Sequence, residues 1–81
     1  MRVTVKLFGA FRVLGEGLEL DVPSNANISQ IRAAMMEPAA TAELLPTLEV
    51  SRFANEREVL AEAATCHPGD VLAILPPVSG G

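Results

Sequence analysis

The last six residues, Pro76-Pro77-Val78-Ser79-Gly80-Gly81, carry the group whose chemistry stands apart from the rest of the chain, the terminal carboxylate. An α-carboxyl titrates near 3.5 and is ionised at neutral pH, so it is a poor acyl donor until something activates it. Adenylation by ATP would convert it to a mixed anhydride, and a sulfur donor displacing the adenylate would leave a C-terminal thiocarboxylate. Gly80 and Gly81 place no side chains around that carbon, which lets the backbone thread a narrow channel. Pro76 and Pro77 remove two backbone donors and fix φ, so a sheet ends there and the chain leaves it as an extended arm. A terminal Gly-Gly alone also describes many floppy tails. Here it follows a strand and a proline pair directly, which gives a short projection of defined reach. A carrier of this kind contributes an arm and an acyl group, and the catalytic residues belong to its partners.

Other reactive side chains are sparse. Cys66-His67 is the one adjacent nucleophile and base, and neighbours on an extended chain point to opposite sides, so they do not meet as a dyad must. One cysteine and one histidine also fall short of the four ligands zinc usually takes, and no metal site is expected. Glu56, Glu58 and Glu62 read as a solvated acidic face. Phe8 falls on the outer parity of the first strand and Phe11 in the loop after it. An exposed aromatic pair would anchor an interface, unless the loop 9–17 folds over the two rings.

The elements that must position these groups follow from the apolar pattern. Residues 2–8 alternate, with Val3, Val5 and Leu7 on one face and Arg2, Thr4 and Lys6 on the other, and residues 18–22 repeat the alternation. Antiparallel pairing of the two strands sets a basic outer face beside an acidic one. Asn27 with Gln30 three residues later is a capping box. It opens a helix of about ten residues in which Ile28, Ile31, Ala34 and Met35 share a face, with Pro38 expected to stop it. Residues 39–45 suit a further turn or two of helix. Residues 48–54 read as a strand, Asn55-Glu56 as a turn, and residues 57–60 as a short return strand. Pro68-Gly69 fits a type II turn that launches the strand 71–75, whose unbroken apolar run predicts a central place with both faces covered. The order specifies an α+β fold, a mixed sheet of four to five strands packed on one main helix.

At 81 residues the chain has room for one core, here residues 1–75 followed by the tail 76–81, and none for a deep catalytic cavity. Ten acidic against six basic residues give a charge of −4 with no basic cluster, which excludes a phosphate-backbone binder such as a nucleic-acid protein. No apolar run approaches the ~20 residues of a membrane span and no secretory leader is visible, so a cytoplasmic, membrane-free protein is expected.

Residues 69–81, Gly-Asp-Val-Leu-Ala-Ile-Leu-Pro-Pro-Val-Ser-Gly-Gly, resemble the C-terminal signature of the small, sulfur-carrier subunit family of molybdopterin synthase. Leu7-Phe8-Gly9-Ala10-Phe11-Arg12 with Gly15 resembles that family's first strand and loop, and Ala54-Asn55-Glu56 its hairpin turn. The residue after Asp70, often charged in relatives, is Val71 here, and the middle from Met36 to Pro46 matches nothing closely. The resemblance implies a ubiquitin-like β-grasp. It implies that Gly81 is adenylated by an E1-like adenylyltransferase that consumes ATP, then sulfurated by a sulfur donor protein to a thiocarboxylate. The tail, Gly80, Ser79, Val78, Pro77 and Pro76, would enter the active site of the large synthase subunit in a heterotetramer and deliver sulfur to a pyranopterin precursor. No bound cofactor is implied, and Arg12 would join Phe8 and Phe11 on the partner surface. The thiamine-pathway sulfur carriers share the fold and the Gly-Gly end but usually lack the proline pair. A ubiquitin-like protein modifier and an inert β-grasp interaction module are the remaining alternatives.

Overall fold

In the computed structural model, which describes residues 1–77, alternation produces the first two strands. In β1 (Arg2–Leu7) Val3, Val5 and Leu7 are buried, and β2 (Gly17–Asp21) pairs with it antiparallel, placing Val3 opposite Leu20 and Arg2 opposite Asp21. The expected charge complementarity takes the form of a two-pronged contact, Arg2 Nε to Asp21 Oδ1 at 3.2 Å and Nη2 to Oδ2 at 3.4 Å. It holds the Asp21 carboxyl below its ordinary range, through the hydrogen bond first and the Arg2 charge second.

Helix α1 (Ile28–Ala34) opens with the capping box: Asn27 Oδ1 accepts from the Gln30 amide at 3.0 Å and Gln30 Oε1 accepts from the Asn27 amide at 2.9 Å. The amides of Ile28 and Ser29 donate to the carbonyls of Ala64 and Glu62, so the first turn is satisfied by the loop that crosses it. Ile28, Ile31 and Met35 lie fully buried against the inner sheet residues Val5, Leu7, Phe53, Leu72 and Ile74. Each such side chain contributes about 1.5–3 kcal/mol through burial.

Two expectations are corrected in the middle of the chain. Pro38 does not end the helical stretch. It lies in the first turn of α2 (Met36–Thr41), where its missing amide would have had no intrahelical partner. A Schellman turn ends α2 instead: the Leu44 amide donates to Ala39 O and the Glu43 amide to Ala40 O, with Glu43 at φ 60°. Pro46 likewise sits in the first turn of α3 (Leu45–Val50), so residues 48–50 are helical and the strand expected over 48–54 shrinks to β3 (Arg52–Ala54).

The turn after β3 is held by Asn55 Oδ1, which accepts from the amides of Arg57 and Glu58 at 2.8 and 2.9 Å. This side-chain turn shortens the return strand to β4 (Val59–Leu60). His67-Pro68-Gly69-Asp70 closes as a type II turn, with the Asp70 amide on His67 O at 3.0 Å and Gly69 at φ 81°. From it β5 (Val71–Leu75) runs parallel to β1 and antiparallel to β3, giving the sheet order β2-β1-β5-β3-β4. The strand is central, as its composition predicts, but only Leu72 and Ile74 are buried. The outward residues Val71 and Leu75 remain open, because the helices cover one face of the sheet alone. Among the described residues no helix is long and apolar enough to cross a membrane.

Candidate functional site

The outer face of the sheet divides into two halves. Register places Arg2, Thr4 and Lys6 outward on β1 beside Asp21, Glu19 and Gly17 of β2, a charged half. On the other side Val71, Ala73 and Leu75 of β5 lie in register with Thr4, Lys6, Ala54 and Arg52, and Val59 of β4 pairs with Ala54. Val71 is 47% exposed, Leu75 38% and Val59 55%, and Phe8, one residue beyond the Leu7–Ile74 pair, is 41% exposed. A shallow depression of about 220 Å³, lined among others by Lys6, Phe8, Ala54, Val71 and Ala73, marks where the halves meet. The apolar half is continuous with the end of β5, so it borders the place where the chain leaves the sheet.

Pro76 follows Leu75 there, half-buried, and Pro77 is exposed. Pro76 packs against Gly9, which adopts φ 57°, a left-handed conformation that glycine takes without strain. Val78, Ser79, Gly80 and Gly81, the remaining residues of the expected arm, lie outside the described residues.

Of the expected partner residues, Phe8 and Arg12 stand at the surface. Phe11 does not: a 3-10 helix (Gly9–Leu14) turns its ring into the core, where it is fully buried. The loop folds over one aromatic and leaves the other out. Cys66 is buried and free, and burial pushes its thiol above the ordinary value, which suppresses the nucleophilic thiolate. His67 is largely exposed, with Nδ1 3.8 Å from Asp70 Oδ2, so the neighbours face apart and form no dyad. Among the described residues no group of three or more His, Cys, Asp or Glu is placed to hold a metal ion.

Glu62 is not merely solvated. Its Oε2 accepts from Arg32 Nη2 at 2.6 Å and its Oε1 from Arg32 Nε at 3.1 Å, while Arg32 Nη1 donates to the carbonyls of Leu48 at 2.6 Å and Ser51 at 2.9 Å. The guanidinium also lies 5.1 Å from the centre of the Phe53 ring. The larger hollows, about 430 and 450 Å³, flank this residue, but its donors are committed to holding α1, α3 and the segment before β5 together. Val71, Leu75, Val59 and Gly9 were missed as site residues. The unbroken apolar run of β5 does not say which of its faces stays open, and nothing local marks Val59 or Gly9.

The five-stranded mixed sheet crossed by α1 is the ubiquitin-like β-grasp, and the structure aligns over its whole length with a small archaeal modifier protein, SAMP1 from Haloferax volcanii (TM-score 0.77, 23% identity, full coverage of both chains). It is also similar to the ubiquitin of Caldiarchaeum subterraneum (TM-score 0.65, 23% identity, 100% of this chain and 98% of that one). A protein–protein complex of subunits 1 and 2 of the molybdopterin-converting factor from Helicobacter pylori contains a chain similar over the full length of both, at 27% identity and a TM-score of 0.66. No curated protein is a significant match to the sequence. The sequence model of the ThiS family matches residues 5–81, and the chain belongs to that family of ubiquitin-like sulfur carriers.

Proposed function

We propose that this chain is the sulfur-carrying subunit of a molybdopterin-forming complex, with Gly81 as the attachment point. The Gly81 carboxylate attacks the α-phosphorus of ATP on an E1-like partner and expels pyrophosphate. The terminal sulfur of a donor protein's cysteine persulfide then attacks the acyl carbon and expels AMP, and a thiol cleaves the resulting acyl disulfide, leaving the thiocarboxylate and a disulfide on the donor cysteine. The arm from Pro76 carries that sulfur into the active site of a large subunit, where it passes to a pterin precursor and water restores the carboxylate. Nothing in this sequence of steps asks the small chain for an acid, a base or a metal.

The observation that carries the reading is the apolar half of the outer face, which runs along β5 from Val71 to Leu75, with Leu75 and Phe8 at the end where the Gly-Gly arm begins. A partner that grips this strip lies beside the point where Pro76 and Pro77 leave the sheet. The similar chain in the Helicobacter pylori complex supports a second subunit as that partner. Intact mass after incubation with the E1-like enzyme, ATP and a sulfur donor tests it, with a Gly81-deleted chain as control because oxidation of Met or Cys adds almost the same mass. A gain confined to the full-length chain supports the carrier, and no gain with an enzyme competent on another carrier removes it.

Similarity to the archaeal modifier favours a second reading, attachment of the same activated terminus to lysines of other proteins. Conjugates that vanish on deleting Gly81 would distinguish it.

A further inference from the structure

An L-type Cβ built on Gly9 stands 2.7 Å from Cγ of Pro76, with Cβ and Cδ of the same ring at 3.8 Å. Carbon atoms in contact lie about 3.5–4.0 Å apart, so the ring would have to withdraw by about 1 Å. Pro76 Cγ is not the loose end of a long side chain. The ring closes on the backbone nitrogen and fixes φ, so puckering absorbs only part of the displacement. The rest falls on the backbone of Pro76, the first residue after β5.

We propose that Gly9 is a positioning residue. Its bare Cα is the seat on which the Pro76 ring rests, and that contact sets the direction in which the chain leaves the sheet toward Gly81. The inference rests on the sulfur-carrier reading and adds to it a residue far from the tail in sequence. An extended residue advances at most about 3.6 Å, so a rotation at Pro76 re-aims Pro77, the next residue on the way out of the sheet. The docking strip of Phe8, Val71 and Leu75 borders Gly9 but does not contain it, so an unchanged KM beside a lowered kcat separates aim from recognition.

The test is steady-state adenylation of the full chain by the E1-like enzyme, read as pyrophosphate release. Gly9→Ala is expected to lower kcat about 10- to 100-fold, the scale on which a 1 Å misplacement costs activity, with KM for the carrier little changed. Alanine at positive φ is also strained, so Gly9→Asn is assayed beside it. Asparagine tolerates that conformation but still brings a Cβ, and it should show the same loss. Pro76→Ala removes Cγ, and Gly9→Ala/Pro76→Ala should be no worse in kcat than Pro76→Ala alone, although the strain of alanine at positive φ lowers thermal stability in both Gly9→Ala chains. A double variant whose loss is the product of the two single losses, or a fully active Gly9→Asn, overturns the seat. An unmodified wild type, with the enzyme competent on another carrier, overturns the carrier reading and this inference with it. The wild-type lane therefore tells the two failures apart.

Discussion

Phe8 and Phe11 lie one helical turn apart in sequence and on opposite sides of what this molecule needs. Phe11 is sealed against the inner face of the sheet, while Phe8 stands 41% exposed on the outer face near Leu75. The same division runs along β5, whose Leu72 and Ile74 are core and whose Val71 and Leu75 are surface. Strand parity thus assigns stability to one set of apolar residues and leaves the other set for contact. An apolar residue that holds nothing inside the fold is one that a partner can cover.

Substituting the two phenylalanines breaks or sharpens that division. Phe11→Ala leaves a cavity under the 3-10 helix and should cost about 3–5 kcal/mol, read as a fall in the urea midpoint with an unchanged slope. Phe8→Ser should stay within about 0.5 kcal/mol of wild type, as surface substitutions do. Its effect is expected instead in complex formation with the proposed large subunit, where loss of an aromatic anchor should weaken affinity by about tenfold or more. Equal destabilisation by the two changes would refute the assignment of faces.

The inner face also depends on one polar side chain. Arg32 supplies four hydrogen bonds, two to the Leu48 and Ser51 carbonyls at the end of α3 and two to Glu62, and its side chain is only 18% exposed. Arg32→Lys keeps the charge but cannot form the fork, so it strands partly buried carbonyls. A loss of about 1–3 kcal/mol is expected, and a lysine variant as stable as wild type would show that the fork is dispensable.

What the sequence disclosed was local. Alternation marks β1, β2 and β5 and the capping box marks α1, because each signal lies within a few residues of what it specifies. Pro38 and Pro46 misled for a reason of position: a proline breaks a helix interior but suits its first turn, and only the finished structure says where the first turn falls. The open outer face of β5 was equally illegible, since an all-apolar strand looks the same whether one side or both are covered. The fork of Arg32 and the seat of Pro76 on Gly9 join residues distant in the chain, and no periodicity reports such contacts.

The smallest effect separates Glu62 from the charges of the outer face. Hydrogen bonding from Arg32 lowers the Glu62 carboxyl most, the Arg32 charge, Ser29 and the Arg52 charge lower it further, and burial opposes them, leaving it below its ordinary value of 4.5. Because the folded value is the lower one, the stabilisation is fully present above the unfolded value near 4.5 and disappears as pH falls through the folded value. Half of the Glu62 side chain is in water, so screening holds the contribution to about 0.5 kcal/mol. Glu62→Gln should therefore be less stable than wild type at pH 7, and the gap should close as pH falls through that window. Asp21 is lowered as well and titrates in the same direction, so the comparison is made in an Asp21→Asn background. A gap that persists at the acid end would mean that glutamine loses packing or hydrogen-bond geometry rather than charge, and the segment before β5 would then owe its place to the shape of the Arg32 fork.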